Sequence, residues 1–265
     1  MKNLLRTITI SFALLLHTTS DANSFSGSSA SVQRSVVPPE QIIAFAKKVE
    51  RTLAAEGARV AILARMGRPP ADMPEGMRFT HVAFAVYSEI GTADGRKLPG
   101  YAIYNLYQIN GHPDTSELAQ DYPVDFFSGA AQLEAGIIIP SVELQQRLLQ
   151  VIASAGYASL HDPHYSVIAN PYTLGRQNCT EFVLDVINAA IYQTTDIRVL
   201  KANTKAYFIA QPVKVNPFKL MLGSMFSKEV SMSDQPGEPV TATFERMGDY
   251  LRKYDPATRV IEVLP

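Results

Sequence analysis

The segment QNCTEFVLDVINAAIY, residues 177–192, constrains this chain more than any other. Phe182, Val183, Val186, Ile187, Ala190 and Ile191 recur at helical spacing and form one apolar stripe, so this helix must lie against a core. Asn178 suits the N-cap, and Glu181, three residues on, can return a hydrogen bond to the cap's own amide as in a capping box. These signals place Cys179 in the first turn, where free N–H groups and the helix dipole favour an anion. A thiolate there has a lowered pKa and is the reactive form of the side chain. A free cysteine is equally at home as a small buried hydrophobe. The segment alone leaves both readings open.

Cys179 is the only cysteine among 265 residues, so a disulfide within the chain is impossible. The first residues read as an export signal: Lys2 and Arg6, a mostly apolar run over residues 8–16 too short to span a bilayer, then small residues with cleavage expected near Ala22. In an oxidising compartment cysteines usually pair, which leaves burial or chemistry for a lone one. The near-balanced charge, −1 overall, gives no basic field for nucleic acid or an anionic membrane. Residues 1–22 are thus assigned to a signal peptide and the Ser-rich residues 23–37 to a flexible lead-in. Residues 38–265 form a single domain without internal repeats.

Pro38-Pro39 opens a helix to about Ala55, with Ile42, Phe45, Ala46, Val49 and Leu53 on one face and Gly57 as its stop. ARVAILAR (58–65) fits a strand. FTHVAFAVYS (79–88) and GYAIYNLYQ (100–108), separated by Asp94-Gly95, predict a long-looped antiparallel hairpin. Centred near residue 93, its register sets His81 opposite Asn105. Residues 110–130 read as a loop with a helical turn at DYPVDFFSG. AGIIIP (135–140) reads as a buried strand, and Ser141 caps a helix over residues 142–155 that Gly156 ends. Beyond the cysteine helix, strands are expected at 207–215, 240–244 and 258–264, with a helix at 245–254. KLMLGSMFSK (219–228), apolar and Met-bearing, fits core or a surface patch, with core the preferred reading.

A cysteine nucleophile needs a base within hydrogen-bond reach and a polar group to orient that base. His112 sits in a turn, and His161-x-x-His164, interrupted by Pro163, lacks a further metal ligand. No cofactor motif is present. His81 is the better base: it shares a strand face with Ala83 and Ala85, which leave room for the cysteine helix to pack closely. Asn105 on the next strand could hold the imidazole in the tautomer that accepts the thiol proton.

NCTEFV and THVAFAV resemble the Asn/Asp-Cys-Ser/Thr-x-Phe/Leu-Val and His-Val-Gly/Ala-Ile/Phe motifs of the papain-like superfamily's NlpC-type branch. The histidine precedes the cysteine, as in the circularly permuted members. The chain also resembles, through GARVAILARMG, RFTHVAFAVY, IIIP and QNCTEFVLDVI, the exported bacterial family called domain of unknown function 2145. The first resemblance implies an α+β fold with a small antiparallel sheet against the cysteine-bearing helix. It implies Cys179 as nucleophile, His81 as base and Asn105 as orienter, with Gln177 or Tyr172 completing an oxyanion hole with the Cys179 amide. The expectation is an exported cysteine hydrolase or acyl-transfer enzyme working through a thioester on cell-wall peptides or another amide or acyl substrate, with no cofactor, no nucleic acid and no transmembrane segment once the signal is removed. The alternative is a non-catalytic periplasmic binding or envelope-assembly module on the same fold.

Overall fold

The computed structural model describes residues 37–92, 94–214 and 230–265. The expected signal peptide, residues 23–36 of the lead-in and the KLMLGSMFSK stretch lie outside the described residues. The fold is α+β, built on a six-stranded antiparallel sheet. In chain order the principal elements are α1 (Pro39–Ala55), β1 (Val60–Met66), β2 (His81–Gly91), β3 (Lys97–Ile109), β4 (His112–Asp121), α2 (Pro123–Ser128) and β5 (Gln132–Ile139). There follow α3 (Val142–Ile152), α4 (Ala155–Ser159), α5 (Cys179–Tyr192), α6 (Ile197–Tyr207), the short pair β6 (Gln211–Pro212) and β7 (Val240–Thr241), α7 (Phe244–Tyr254) and β8 (Arg259–Val263). The strand order is β4-β3-β2-β1-β5-β8.

β1 is buried along its whole length because it is central and covered on both faces. Its alternate residues feed two cores. Ala61 and Leu63 join Ala83, Ala85 and Ile103 beneath Phe45, Val49 and Leu53 of α1. Val60, Ile62 and Ala64 join Val82, Phe84 and Val86 beneath Phe182, Val183 and Val186 of α5. The alanine face of β2 therefore receives α1, not the cysteine helix, which instead covers the larger Val82, Phe84 and Val86. Each such side chain contributes about 1.5–3 kcal/mol when fully buried.

The hairpin exists, with its register centred one residue later than expected. Phe84 pairs with Tyr104 and Tyr87 with Tyr101, so the continued ladder brings His81 level with Tyr107 rather than Asn105. The shift preserves side-chain parity, and His81 and Asn105 still share a face. Residues 112–121 form an edge strand instead of a loop: β4 is polar on both faces, which suits an edge and hides the alternation that marks a strand. The helix expected over 142–155 stops at Ile152, because Ser154 starts a new one by accepting a hydrogen bond from the Gly156 amide. α6 was not anticipated; of the strand expected over 207–215, the described residues 207–214 form strand only at Gln211–Pro212.

Candidate functional site

Asn178 caps α5 as its type predicts: its side-chain oxygen accepts from the Glu181 amide at 2.9 Å. Its Nδ2 donates to the Val167 carbonyl and to Thr241 Oγ1, fixing the preceding loop to the helix start. Glu181 does not complete a capping box. Its carboxyl group turns into the protein and accepts from Lys201 of α6 at 2.5 Å. Asp185, one turn further, receives the same ammonium at 2.9 and 3.0 Å. Asn188 continues this polar stripe, donating to Thr204 and accepting from Tyr250. α5 is thus buried over most of its surface, with apolar groups toward the sheet and a polar edge toward α6 and α7, on which Glu181 Oε2 alone of its carboxylate oxygens has no hydrogen-bond partner among the described residues.

Cys179 is 5% exposed and belongs to the α5-side core. Its Sγ lies 3.9 Å from the Thr80 carbonyl, as a donor, at the residue just before His81. The helix start does not give this thiol a depressed pKa. Burial pushes it above the ordinary thiol value, outweighing the Val82 amide, the Arg65 charge and the amides of Thr180 and Cys179 itself, all of which pull it down.

His81 is 1% exposed and stacks on Tyr107, with ring centroids 4.9 Å apart and planes within 4°. Its Nε2 lies 3.1 Å from Asn105 Oδ1. Its Nδ1 is buried and has no hydrogen-bond partner among the described residues, and no hydrogen bond joins the imidazole to the thiol. Burial holds the imidazole well below its usual range, Arg65 adds to this, and the Asn105 bond opposes it. The resting pair is therefore a neutral thiol and a neutral imidazole.

Three further residues complete the constellation. Asn105 Nδ2 donates to Asp121 Oδ1 at 2.8 Å, and Tyr107 donates to Asp121 Oδ2 at 2.7 Å. Burial raises the Asp121 carboxyl to about 7 against the Tyr107 hydrogen bond. Arg65, 2% exposed, donates to the Phe126 carbonyl and lies over the Phe126 and Tyr107 rings, 5.0 and 5.9 Å from their centroids. Gly129 makes this possible, since a Cβ there would lie 2.6 Å from Arg65 Nη1. The chain carries no local signal for Arg65: Arg59 of the same ARVAILAR run is exposed, and only the elements folded around the end of β1 bury Arg65. Asp121 opens the DYPVD stretch, but only the β3–β4 register brings it to Asn105.

The two oxyanion candidates are engaged elsewhere. Both amide hydrogens of Gln177 are used, toward the Leu160 carbonyl at 3.0 Å and Asp185 at 3.1 Å, while its Oε1 accepts from the Asp162 amide. Tyr172 donates its hydroxyl hydrogen to the Phe208 carbonyl and accepts from the Ala210 amide. Both residues tie loops to the body of the fold. His161 bonds Ser116 Oγ, and His164 bonds Asp162. Among the described residues no group of three His, Cys, Asp or Glu side chains is placed to hold a metal ion. A recess of about 230 Å³ is bordered by His161, Arg176, Gln177, Glu181, Asp185 and Lys201; neither Cys179 nor His81 borders it.

A family model described as an uncharacterized protein conserved in bacteria, DUF2145, matches residues 52–251. The chain belongs to this family. No curated protein and no solved structure matches it. The match to DUF2145 runs from the end of α1 to Leu251 in α7 and so includes Arg65, His81, Asn105, Asp121 and Cys179. No helix among the described residues of this DUF2145 chain is long and apolar enough to cross a membrane.

Proposed function

We propose that this DUF2145 chain is an exported cysteine hydrolase or acyl-transfer enzyme of the permuted papain-like, NlpC-type arrangement, with Cys179 as nucleophile, His81 as base and Asn105 as orienter. The observation that carries this reading is the hydrogen bond between buried His81 and Asn105, next to Thr80, whose carbonyl meets the Cys179 sulfur. His81 and Asn105 meet on the α1-side face of the sheet, and Cys179 reaches the backbone at Thr80 from the α5-side core, so the residue types that acyl transfer requires flank the start of β2 without a direct thiol–imidazole contact.

The neutral resting pair dictates the order of events. The thiol proton passes to the imidazole as sulfur bonds the acyl carbon, rather than before substrate arrives. Collapse breaks the bond to the leaving amine or alcohol, which takes the proton from the imidazolium and leaves a thioester on Cys179. Water, or a second acceptor, then attacks the thioester and regenerates the thiol. The Cys179 amide at the helix start is the available oxyanion donor. An exported location makes peptide amides of the cell wall the leading substrates.

One observation favours the second reading, a non-catalytic periplasmic binding or envelope-assembly module. Cys179 is almost fully buried in an apolar cluster, and its thiol is pushed up rather than down. Intact-mass spectrometry separates the two. Wild type is incubated with peptidoglycan stem peptides, a peptide ester and an acyl thioester. The enzyme reading expects an acyl adduct that maps to Cys179, together with released product, both abolished in Cys179→Ala and slowed in His81→Ala. Folded wild type that forms no adduct and no product with all three leaves the binding module.

A further inference from the structure

The orientation of one buried amide decides which imidazole nitrogen of His81 can act as a base. We propose that Asp121 is the residue that sets it: by anchoring the Asn105 amide, Asp121 selects the Nε2–H tautomer of His81 and leaves Nδ1 as its free lone pair.

Above about pH 7, where Asp121 is ionised, its carboxylate only accepts hydrogen bonds, so the Asn105 group 2.8 Å from Asp121 Oδ1 is then the NH₂. The Ile103 carbonyl, 3.5 Å from the same nitrogen, favours the same orientation more weakly. The amide oxygen then faces His81 Nε2 at 3.1 Å, and an oxygen there requires a hydrogen on the nitrogen. In a neutral imidazole the other nitrogen carries the lone pair, and Nδ1 is the buried atom that bonds to none of the described residues. Tyr107 locks the arrangement from both sides, stacking its ring on the imidazole and donating its hydroxyl to Asp121 Oδ2 at 2.7 Å. Asn105 is fully buried, so water does not offer its amide an alternative partner on either side.

Asp121 is therefore a positioning residue acting through Asn105. Its catalytic consequence rests on the reading of His81 as base, whereas the tautomer itself does not. Long-range ¹H–¹⁵N correlation spectra of the full chain at a pH of about 8.5, where Asp121 is ionised, test it, with the His81 signals assigned by their loss in His81→Gln. Wild type should show a protonated Nε2 and an unprotonated Nδ1.

In Asp121→Asn the new amide keeps its oxygen toward the Tyr107 hydroxyl and turns its NH₂ toward Asn105. Asn105 must then flip, which presents its own NH₂ to Nε2 and moves the imidazole hydrogen to Nδ1. Removing the hydroxyl as well, in Tyr107→Phe with Asp121→Asn, frees the new amide to offer its oxygen to Asn105 and restores the wild-type tautomer. A wild-type spectrum with the hydrogen on Nδ1 overturns the proposal even if neither Asp121 variant folds. So does an Asp121→Asn spectrum that keeps it on Nε2.

The rate of Cys179 acylation distinguishes this inference from the functional reading. If His81 is the base, Asp121→Asn lowers that rate on the order of 10²–10⁴-fold and the double variant recovers it. A tautomer that switches while the rate stays unchanged supports the role of Asp121 and removes His81 as base.

Discussion

Replacing Lys201 with methionine tests the interior of the cysteine helix. The ammonium lies 2.5 Å from Glu181 and 2.9 and 3.0 Å from the two Asp185 oxygens, so its three hydrogens are all engaged. The side chains of Lys201, Glu181 and Asp185 are only 8%, 1% and 0% exposed. Methionine keeps most of the lysine's volume and removes its charge, leaving two carboxyl groups without a cation. Removing one partner of a buried pair costs about 3–5 kcal/mol. Against a folding stability of about 5–15 kcal/mol, that makes the variant marginal at neutral pH.

The charge origin of the loss has a signature in pH. Burial already raises both carboxyls in the wild type, with Lys201 opposing it. Without Lys201 they rise further. An acid whose folded pKa is raised contributes stability that is complete below the unfolded value, about 4, and is lost as pH climbs through the folded value. The deficit of Lys201→Met should therefore be small near pH 4.5 and larger at pH 7.5. Urea unfolding of both proteins at the two pH values measures it. A deficit of equal size at both would assign the loss to packing of the lysine's methylenes. A deficit below about 1 kcal/mol at pH 7.5 would show the carboxyls to be solvated, contrary to the structure.

Gly129→Ala sets a methyl group 2.6 Å from Arg65 Nη1, and overpacking of this kind costs about 1–3 kcal/mol. Arg65→Met in the same background should recover part of the loss, measured by the same unfolding curves. Asn178→Ala removes the cap of α5 and its ties to Val167 and Thr241, at about 1–2 kcal/mol. Asn178→Asp keeps the acceptor for the Glu181 amide and should lower Tm less than alanine does.

What was legible in the chain was what local periodicity and end chemistry encode. α1 buries the five residues its spacing selects, and Ser141 and Asn178 cap their helices through the expected side-chain oxygens. Parity along the two hairpin strands brought Asn105 to His81 despite the displaced register. The features that escaped are set by distant partners. β4 is polar because it is an edge, and α6 lacks a strong apolar stripe because its main buried contact is the charged Lys201. The lowered thiol pKa expected at a helix start was a local inference, and burial from β2 reversed it. Arg65 and Asp121 are single residues whose meaning depends on elements folded around them.

The placement of α5 also sets a schedule. Val82, Phe84 and Val86 present an apolar face of the sheet that the later helix covers. Cys179 follows Thr80, the carbonyl its sulfur meets, by 99 residues. At about 5–20 residues per second of synthesis, that face stays bare for roughly 5–20 s after its strand is made. A nascent chain in that interval is a ready client for any holdase that binds exposed apolar strands, and the emergence of α5 is the event that releases it.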